Sequence, residues 1–432
     1  MNSFVRRLML YILPAVAFGC TEYEGFEDHI APEIEEMDVA VNGTEASVVC
    51  RLSSSSDKFT EYGFEYWTDG GERVRIGEPG SPGAEFSCVI KDLDYEMSYS
   101  VCAYVCRGAR RYEFPEKTFS VGPDIIDDLF PDKVFLGECI ACLDTDKDGH
   151  LSRSEADRAK KLDILAKVSS LEGIANLPAL ESFWLSYASV ETADFSANTC
   201  LKSLKLTNNT YLKSITLPAG VSLSELSLSR NNLKELDLSM ISSADVIDCQ
   251  GNIHLAELSL PSSRKVRSLD CSACDVRDLD LSGFEELESL SCYRSDLTPF
   301  TVKLDGCISL KSLEMSGYAD LRAIEALDSL ESLSLCSIYE NAYDVLDLSG
   351  MTGRLKKLKV LDVPFKEIVF TGCAALEDVI LNYTEVSSLD LSECSSLKTL
   401  SCRYNGSLVQ VTVPSGTSVD VERNVEVKYS ER

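Results

Sequence analysis

Leu223-Ser224-Glu225-Leu226-Ser227-Leu228-Ser229-Arg230-Asn231 is the stretch that decides the fold. Apolar residues stand first, fourth and sixth, polar residues lie between them, and an Asn closes the run at the ninth place. Successive side chains of a strand point to opposite faces, so the fourth and sixth residues face one way and the polar ones the other. The pattern recurs from Leu180, Leu201, Leu223, Ala244, Val266, Leu287, Leu310, Leu330, Leu358, Leu376 and Leu397, with spacings of 21, 22, 21, 22, 21, 23, 20, 28, 18 and 21. A unit this short cannot bury its own apolar edge and must stack on its neighbours. The long and short spacings together equal about two ordinary units, which implies an insertion around 340–355.

This motif and period resemble the leucine-rich repeat, and residues 171–413 are read as about eleven such repeats. In that family the Asn at the ninth place bonds the turn backbone from inside. Asn209, Asn231 and Asn405 recur there, and Asn252 or Cys274 stand near it elsewhere. The second half of each unit, as in Leu233-Lys234-Glu235-Leu236-Asp237-Leu238-Ser239, is too short for a long helix. The convex side is therefore expected to be extended or 3-10. Residues 414–432 form a C-terminal cap, in which Val419 to Tyr429 alternate as a closing strand pair would.

Directly before the repeats, residues 123–170 hold Asp144-Thr145-Asp146-Lys147-Asp148-Gly149-His150-Leu151-Ser152-Arg153-Ser154-Glu155. Its oxygen-bearing residues fall at places 1, 3, 5, 9 and 12, and Gly149 sits where such a loop turns sharply. This matches an EF-hand loop. The expected ligands of a structural Ca²⁺ are Asp144, Asp146, Asp148, the His150 carbonyl, Ser152 through water, and Glu155. Flanking helices are expected over 134–143 and 155–165. The unit resembles the EF-hand or dockerin-like caps that precede bacterial leucine-rich repeats.

Residues 33–122 read as about seven short strands between turn signals such as Asp69-Gly70-Gly71, the size of an immunoglobulin-like sandwich. Leu93-Asp94-Tyr95-Glu96-Met97-Ser98-Tyr99 resembles the fibronectin type III stretch whose Tyr closes a corner by bonding back to the backbone. The family's Pro and Thr are replaced by Tyr95 and Met97.

At the N-terminus, Arg6 and Arg7 precede a short apolar run, Leu8 to Phe18, and then Gly19-Cys20. A basic start, an apolar run too short to span a bilayer and a small residue before the cut describe a signal peptide over 1–19. The Cys resembles a lipobox, which implies lipidation of Cys20. The acidic tether 20–32 resembles a surface-export tag, so the expected location is the outer membrane, lipid-anchored and facing outward.

The net charge of −29 disfavours nucleic acid and anionic lipid. Of 17 cysteines, Cys249, Cys271, Cys292 and Cys402 take a Leu position, and Cys307, Cys373 and Cys394 stand three residues before a repeat. Such recurring addresses point to reduced core thiols. For Cys50, Cys88, Cys102 and Cys106 the sequence leaves paired and unpaired states open. Only three histidines occur, His29, His150 and His254, too few to build a Ser/His/Asp or zinc centre in the repeats, so no enzyme is expected.

Outward strand positions are small near the strand start: Ser182, Ser203, Ser268, Ser289, Ser312 and Ser332. Further along come Trp184, Tyr187, Arg230, Tyr293, Arg294, Tyr383, Arg403 and Tyr404, residue types that anchor interfaces. These eight are the candidate ligand-binding residues. The whole chain resembles surface lipoproteins with internalin-like repeats from host-associated bacteria, which implies non-enzymatic adhesion to a protein, with a glycan as the other ligand to weigh. Two rival functions stand beside it: carbohydrate capture for nutrient uptake, which a flat aromatic platform would favour, and an envelope scaffold.

Overall fold

The structure, a computed structural model, describes residues 31–53, 58–294, 299–316, 318, 319, 324, 327–338, 344–351 and 353–431. Signal peptide, Cys20 and nearly all of the tether lie outside them. The chain divides into two compact units, one ending at Gly122 and one running from Pro123 to Arg432.

In the first unit, β1 (Ile34–Asn42), β2 (Glu45–Leu52) and β5 (Glu85–Ile90) form an antiparallel sheet. A second sheet runs β4 (Val74–Pro79), β3 (Glu61–Thr68), β6 (Ser98–Arg107) and β7 (Arg110–Glu113), and β8 (Lys117–Ser120) also pairs with β6. Pro115 lies between β7 and β8 and has no N–H for the ladder. Val48, Cys50, Phe64, Ile90, Val101 and Val105 form the core. The Tyr99 hydroxyl accepts the Asp94 N–H at 2.9 Å, as the motif implied. All described cysteines are free, the four of this unit included. Cys102 and Cys106 are four residues apart on one strand, too far to bridge.

The second unit opens with helix α1 (Lys133–Leu143), the acidic loop and helix α2 (Arg153–Arg158). The expected long exit helix is corrected: α2 ends at Arg158, and β9 (Lys161–Ile164) is already a strand. Leu162 and Ile164 alternate with charged neighbours, so they pack as a strand against Phe183 and Leu185.

From β9 onward the chain winds into a parallel-strand solenoid of about eleven turns with few helices, as leucine-rich repeats build. Its long sheet has thirteen strands, from β9 to Ser418–Val421, and spans roughly 60 Å at the usual strand spacing. Leu204, Leu226, Ile247, Leu269, Leu290 and Leu313 stand side by side in register, all fully buried. The register corrects one start. Leu358 pairs with Leu333 and Val379, which are fourth-place residues, so that coil begins at Leu355. The spacings of 28 and 18 become 25 and 21, and part of the expected insertion, 340–343 and 352, lies outside the described residues. The tail is also corrected. Ser418–Val421 extends the long sheet and Glu426–Ser430 extends the opposite side, so the two do not pair with each other.

Much of the opposite side is built from coils in twos, with a third strand, Glu426–Ser430, added to the last pair. Thr192–Asp194 bonds Ser214–Thr216, Glu235–Asp237 bonds Glu257–Ser259, and Ser388–Asp390 bonds Gln410–Pro414. The first member of each pair carries an Asp whose carboxylate accepts the N–H two residues on: Asp194 from Ser196, Asp237 from Ser239, Asp390 from Ser392, each at about 3 Å. The coil from Leu310 falls outside this pairing rhythm, and the Asp rhythm resumes at Asp347.

After nine of the strands the chain turns at the eighth place with a positive φ. Tyr187, Asn208, Arg230, Gly251, Ala273, Ser337, Asp362, Tyr383 and Tyr404 all adopt it, with φ between 49° and 74°. An L residue pays about 1–2 kcal/mol there, which glycine avoids. Ala273→Gly is therefore expected to raise unfolding stability by about 1 kcal/mol. Gly251→Ala should lower it, since its new Cβ would also lie 3.1 Å from Arg230 Cγ. Urea melts of both variants check the pair; opposite shifts, with the loss at Gly251 the larger, are the expected result.

Candidate ligand-binding rim and calcium loop

The turn at the eighth place delivers the ninth residue inward, where it ties coils together. Asn209 donates to the Leu185 carbonyl, Asn231 to Leu206, Asn252 to Leu228 and Asn405 to Leu381, at 2.6–3.1 Å. Their side-chain oxygens accept N–H groups: Ala188 to Asn209, Asn209 itself to Asn231, and Thr384 to Asn405. Where Asn is missing, the Cys274 thiol donates to the Cys249 carbonyl at 3.2 Å. At the other recurring address the Cys307 thiol donates to Leu281 O at 3.3 Å, as the Asn198 amide does to Ile174 and Leu177. Burial pushes the Cys292 and Cys402 thiols up to about 12, and Cys271 rises for the same cause. These thiols stay protonated, so they are donors and poor nucleophiles.

The eight candidate residues do not share one face. Trp184, Tyr293 and Arg403 are on the long-sheet side. Trp184 is half-buried, in register between Asp163 and Lys205. Tyr187, Arg230, Tyr383 and Tyr404 occupy the left-handed turn instead, along one rim of that sheet. Sequence alternation alone continues the strand through these residues, and the positive φ is what ends it.

Arg294 is a correction. Its side chain is 3 % exposed and turned inward, donating to the Val276 carbonyl and lying 3.3 Å from the Asp275 carboxylate. Its coil has no Asn after the strand, and the guanidinium takes up a turn carbonyl in its stead. A buried, paired guanidinium is a structural group rather than a ligand contact.

Tyr383 and Tyr404 come from adjacent coils and stack face to face, with centroids 4.6 Å apart and planes 8° from parallel. They remain 54 % and 63 % exposed. Arg403 pairs with Asp420, and the Tyr404 N–H donates to the Glu422 carboxylate. The long-sheet face itself is lined by small hydroxyls, with carboxylates at Asp248, Asp270 and Glu314 along its centre.

In the acidic loop, oxygens of Asp144, Asp146 and Asp148 all lie within 4.8 Å of one another. Backbone donors fix the loop: Lys147 and Gly149 N–H bond Asp144, and His150 N–H bonds Asp148. For Asp146, a backbone bond from Asp148 favours the charge, but desolvation and three neighbouring carboxylates outweigh it and push its pKa up. This repulsion fits a site built for a cation. Glu155 is not gathered with the three. Its carboxylate accepts from Thr145 and from Ser152, closing a capping box on α2. Burial opposes that charge, yet these bonds hold its pKa down at about 2.

Sequence alternation missed what completes the loop. Ile126 N–H donates to Leu151 O at 2.9 Å, and Arg153 N–H to Asp124 O at 2.8 Å. Asp127 accepts the Leu151 N–H and contacts the His150 ring at 2.7 Å. A segment just upstream thus pairs with the end of the loop.

Among solved structures, the chain is similar to the functional domain of InlJ from Listeria monocytogenes, which includes a cysteine ladder, with 22 % identity over 67 % of this chain and 76 % of that one and a TM-score of 0.42. No protein-family model matches the sequence, and no curated protein does. The fold assignment rests on the coils themselves.

Asp132 clamps the start of this unit. It caps α1 through Val134 and Phe135 N–H and also accepts from Ser169 and Ser170. Burial works against its charge, but these donors hold its carboxyl well below the usual range. A depressed folded pKa means this stabilisation is present above about pH 4 and is lost as pH falls. Asp132→Ala is expected to cost about 1 kcal/mol at pH 7 and to flatten the fall in stability below pH 4, measured by thermal melts from pH 7 to 2.

Proposed function

We propose that this chain is a non-enzymatic, lipid-anchored surface protein that binds a protein ligand through its repeats. The observation that carries the choice of ligand class is the geometry of Tyr383 and Tyr404. A sugar platform needs ring faces side by side in one plane. These two rings cover each other, and what they offer is edges, hydroxyls and the two outer faces beside Arg403. Exposed Tyr and Arg held on a rigid backbone is the composition of protein interfaces. A repeat surface of this length is also the usual way such folds bind. Carbohydrate capture and an envelope scaffold are the rivals.

The first unit serves as a fibronectin type III-like spacer. Its three-strand and five-strand sheets and the Tyr99–Asp94 corner support that reading. The acidic loop is an EF-hand-like cap at the head of the coils. Asp144, Asp146, Asp148 and Glu155, with the His150 carbonyl and Ser152 through water, would hold one structural Ca²⁺. Bound there, the ion neutralises carboxylates that otherwise repel. The lipid on Cys20 holds the protein at the outer membrane, facing outward.

Binding to paired arrays of host matrix proteins and of glycans tests the function. A protein hit that survives competition by free sugar is expected; a hit only on glycans overturns it in favour of nutrient capture. For the ion, added calcium is expected to raise the melting temperature and EDTA to reverse it, and unchanged melting in both contradicts the calcium reading. Protease added to intact cells is expected to degrade the protein; full protection contradicts the outward face.

A further inference from the structure

We propose that the rim of the last coils is a docking site for a cationic polypeptide segment, one that presents Arg or Lys. The proposal rests on the surface-binding function and names the partner's chemistry. Asp362, Tyr383 and Tyr404 hold the same left-handed corner in three consecutive coils. Their order is kept by backbone bonds: Asp362 N–H to Asn382 O at 3.0 Å, and Tyr383 N–H to Arg403 O at 3.2 Å. The stacked rings therefore continue a column that begins at Asp362, and at its other end the Glu422 carboxylate receives the Tyr404 N–H.

The outer ring faces carry the negative side of the aromatic quadrupole, which attracts a guanidinium or ammonium group. Arg403 is already engaged by Asp420 and does not supply that cation to the rings. An independent observation points the same way. The second Glu422 oxygen is buried and has no hydrogen-bond partner among the described residues. A buried acceptor without a donor is costly, and an incoming N–H group would satisfy it. The chain's net charge of −29 draws a basic partner over longer range.

The test uses the full protein and a labelled arginine-rich peptide, followed by anisotropy at low and at physiological salt. Neutral Gly/Ser and acidic peptides of the same length serve as controls. The basic peptide is expected to bind alone. Tyr383→Ala with Tyr404→Ala keeps the net charge and should weaken binding by about tenfold or more. Glu422→Gln should weaken it too. Tyr211→Ala, an exposed tyrosine of an early coil outside the rim, should leave it unchanged. Unaltered affinity in a double variant that melts like the parent overturns the site, as does binding no stronger than to the neutral peptide. If the arrays yield a protein ligand that the double variant still binds fully, surface binding stands and this site falls. If the arrays are silent while the basic peptide still depends on both tyrosines, the site stands and the adhesion reading falls.

Discussion

A coil that turns inward past its strand buries main-chain carbonyls, and the donor at the ninth place is what satisfies them. Everything else in the repeats derives from that demand. The donor has to reach the coil before it, so the chain must swing through a left-handed corner at the eighth place. That corner ends the long-sheet strand and throws the eighth side chain outward; at Arg294, also an eighth residue, the side chain turns inward instead. Asn does the inward work best because its amide donates while its oxygen accepts. A buried thiol donates without accepting, and the Arg294 guanidinium donates at the added cost of a charge that Asp275 must balance.

The rim is thus a by-product of satisfying the interior. Large side chains at a corner that disfavours them are held in place by bonds to the next coil. Tyr383 and Tyr404 are stacked because two successive corners are one strand spacing apart, close to the thickness at which rings pack. A second column keeps the coils from slipping. At the second place the signs alternate, Asp245, Arg267, Glu288, Lys311, Glu331, Lys356, Glu377 and Lys398, with ion pairs such as Lys311–Glu288 at 2.6 Å. Each exposed pair contributes little, but identical charges one strand apart would repel, so alternation favours a single register.

The solenoid was legible because its apolar residues recur with nearly constant spacing and a period-two strand pattern. The clustering of Asp144, Asp146 and Asp148 was legible because their spacing is local. What was hidden is of two kinds. Leu355 and Leu358 both open an apolar run, and only pairing with Leu333 and Val379 says which residue is first. Tyr187, Arg230, Tyr383 and Tyr404 look like outward strand residues because alternation carries no information about φ. Arg294 was misplaced for a related reason: polarity predicts exposure, and an inward charge needs a partner, Asp275, that no spacing rule assigns. The pairing of coils in twos did leave a trace, in the Asp-Leu-Ser that marks every second unit over much of the run.

The most direct measurement is residue-resolved hydrogen exchange on the unliganded protein. The amides of Asn208, Arg230, Asp362 and Tyr383, each bonded to the next coil, are predicted to exchange as slowly as the amides of the buried strand residues beside them. Exchange at those corners as fast as in exposed loops would contradict the central claim, because the rim would then not be held by the interior.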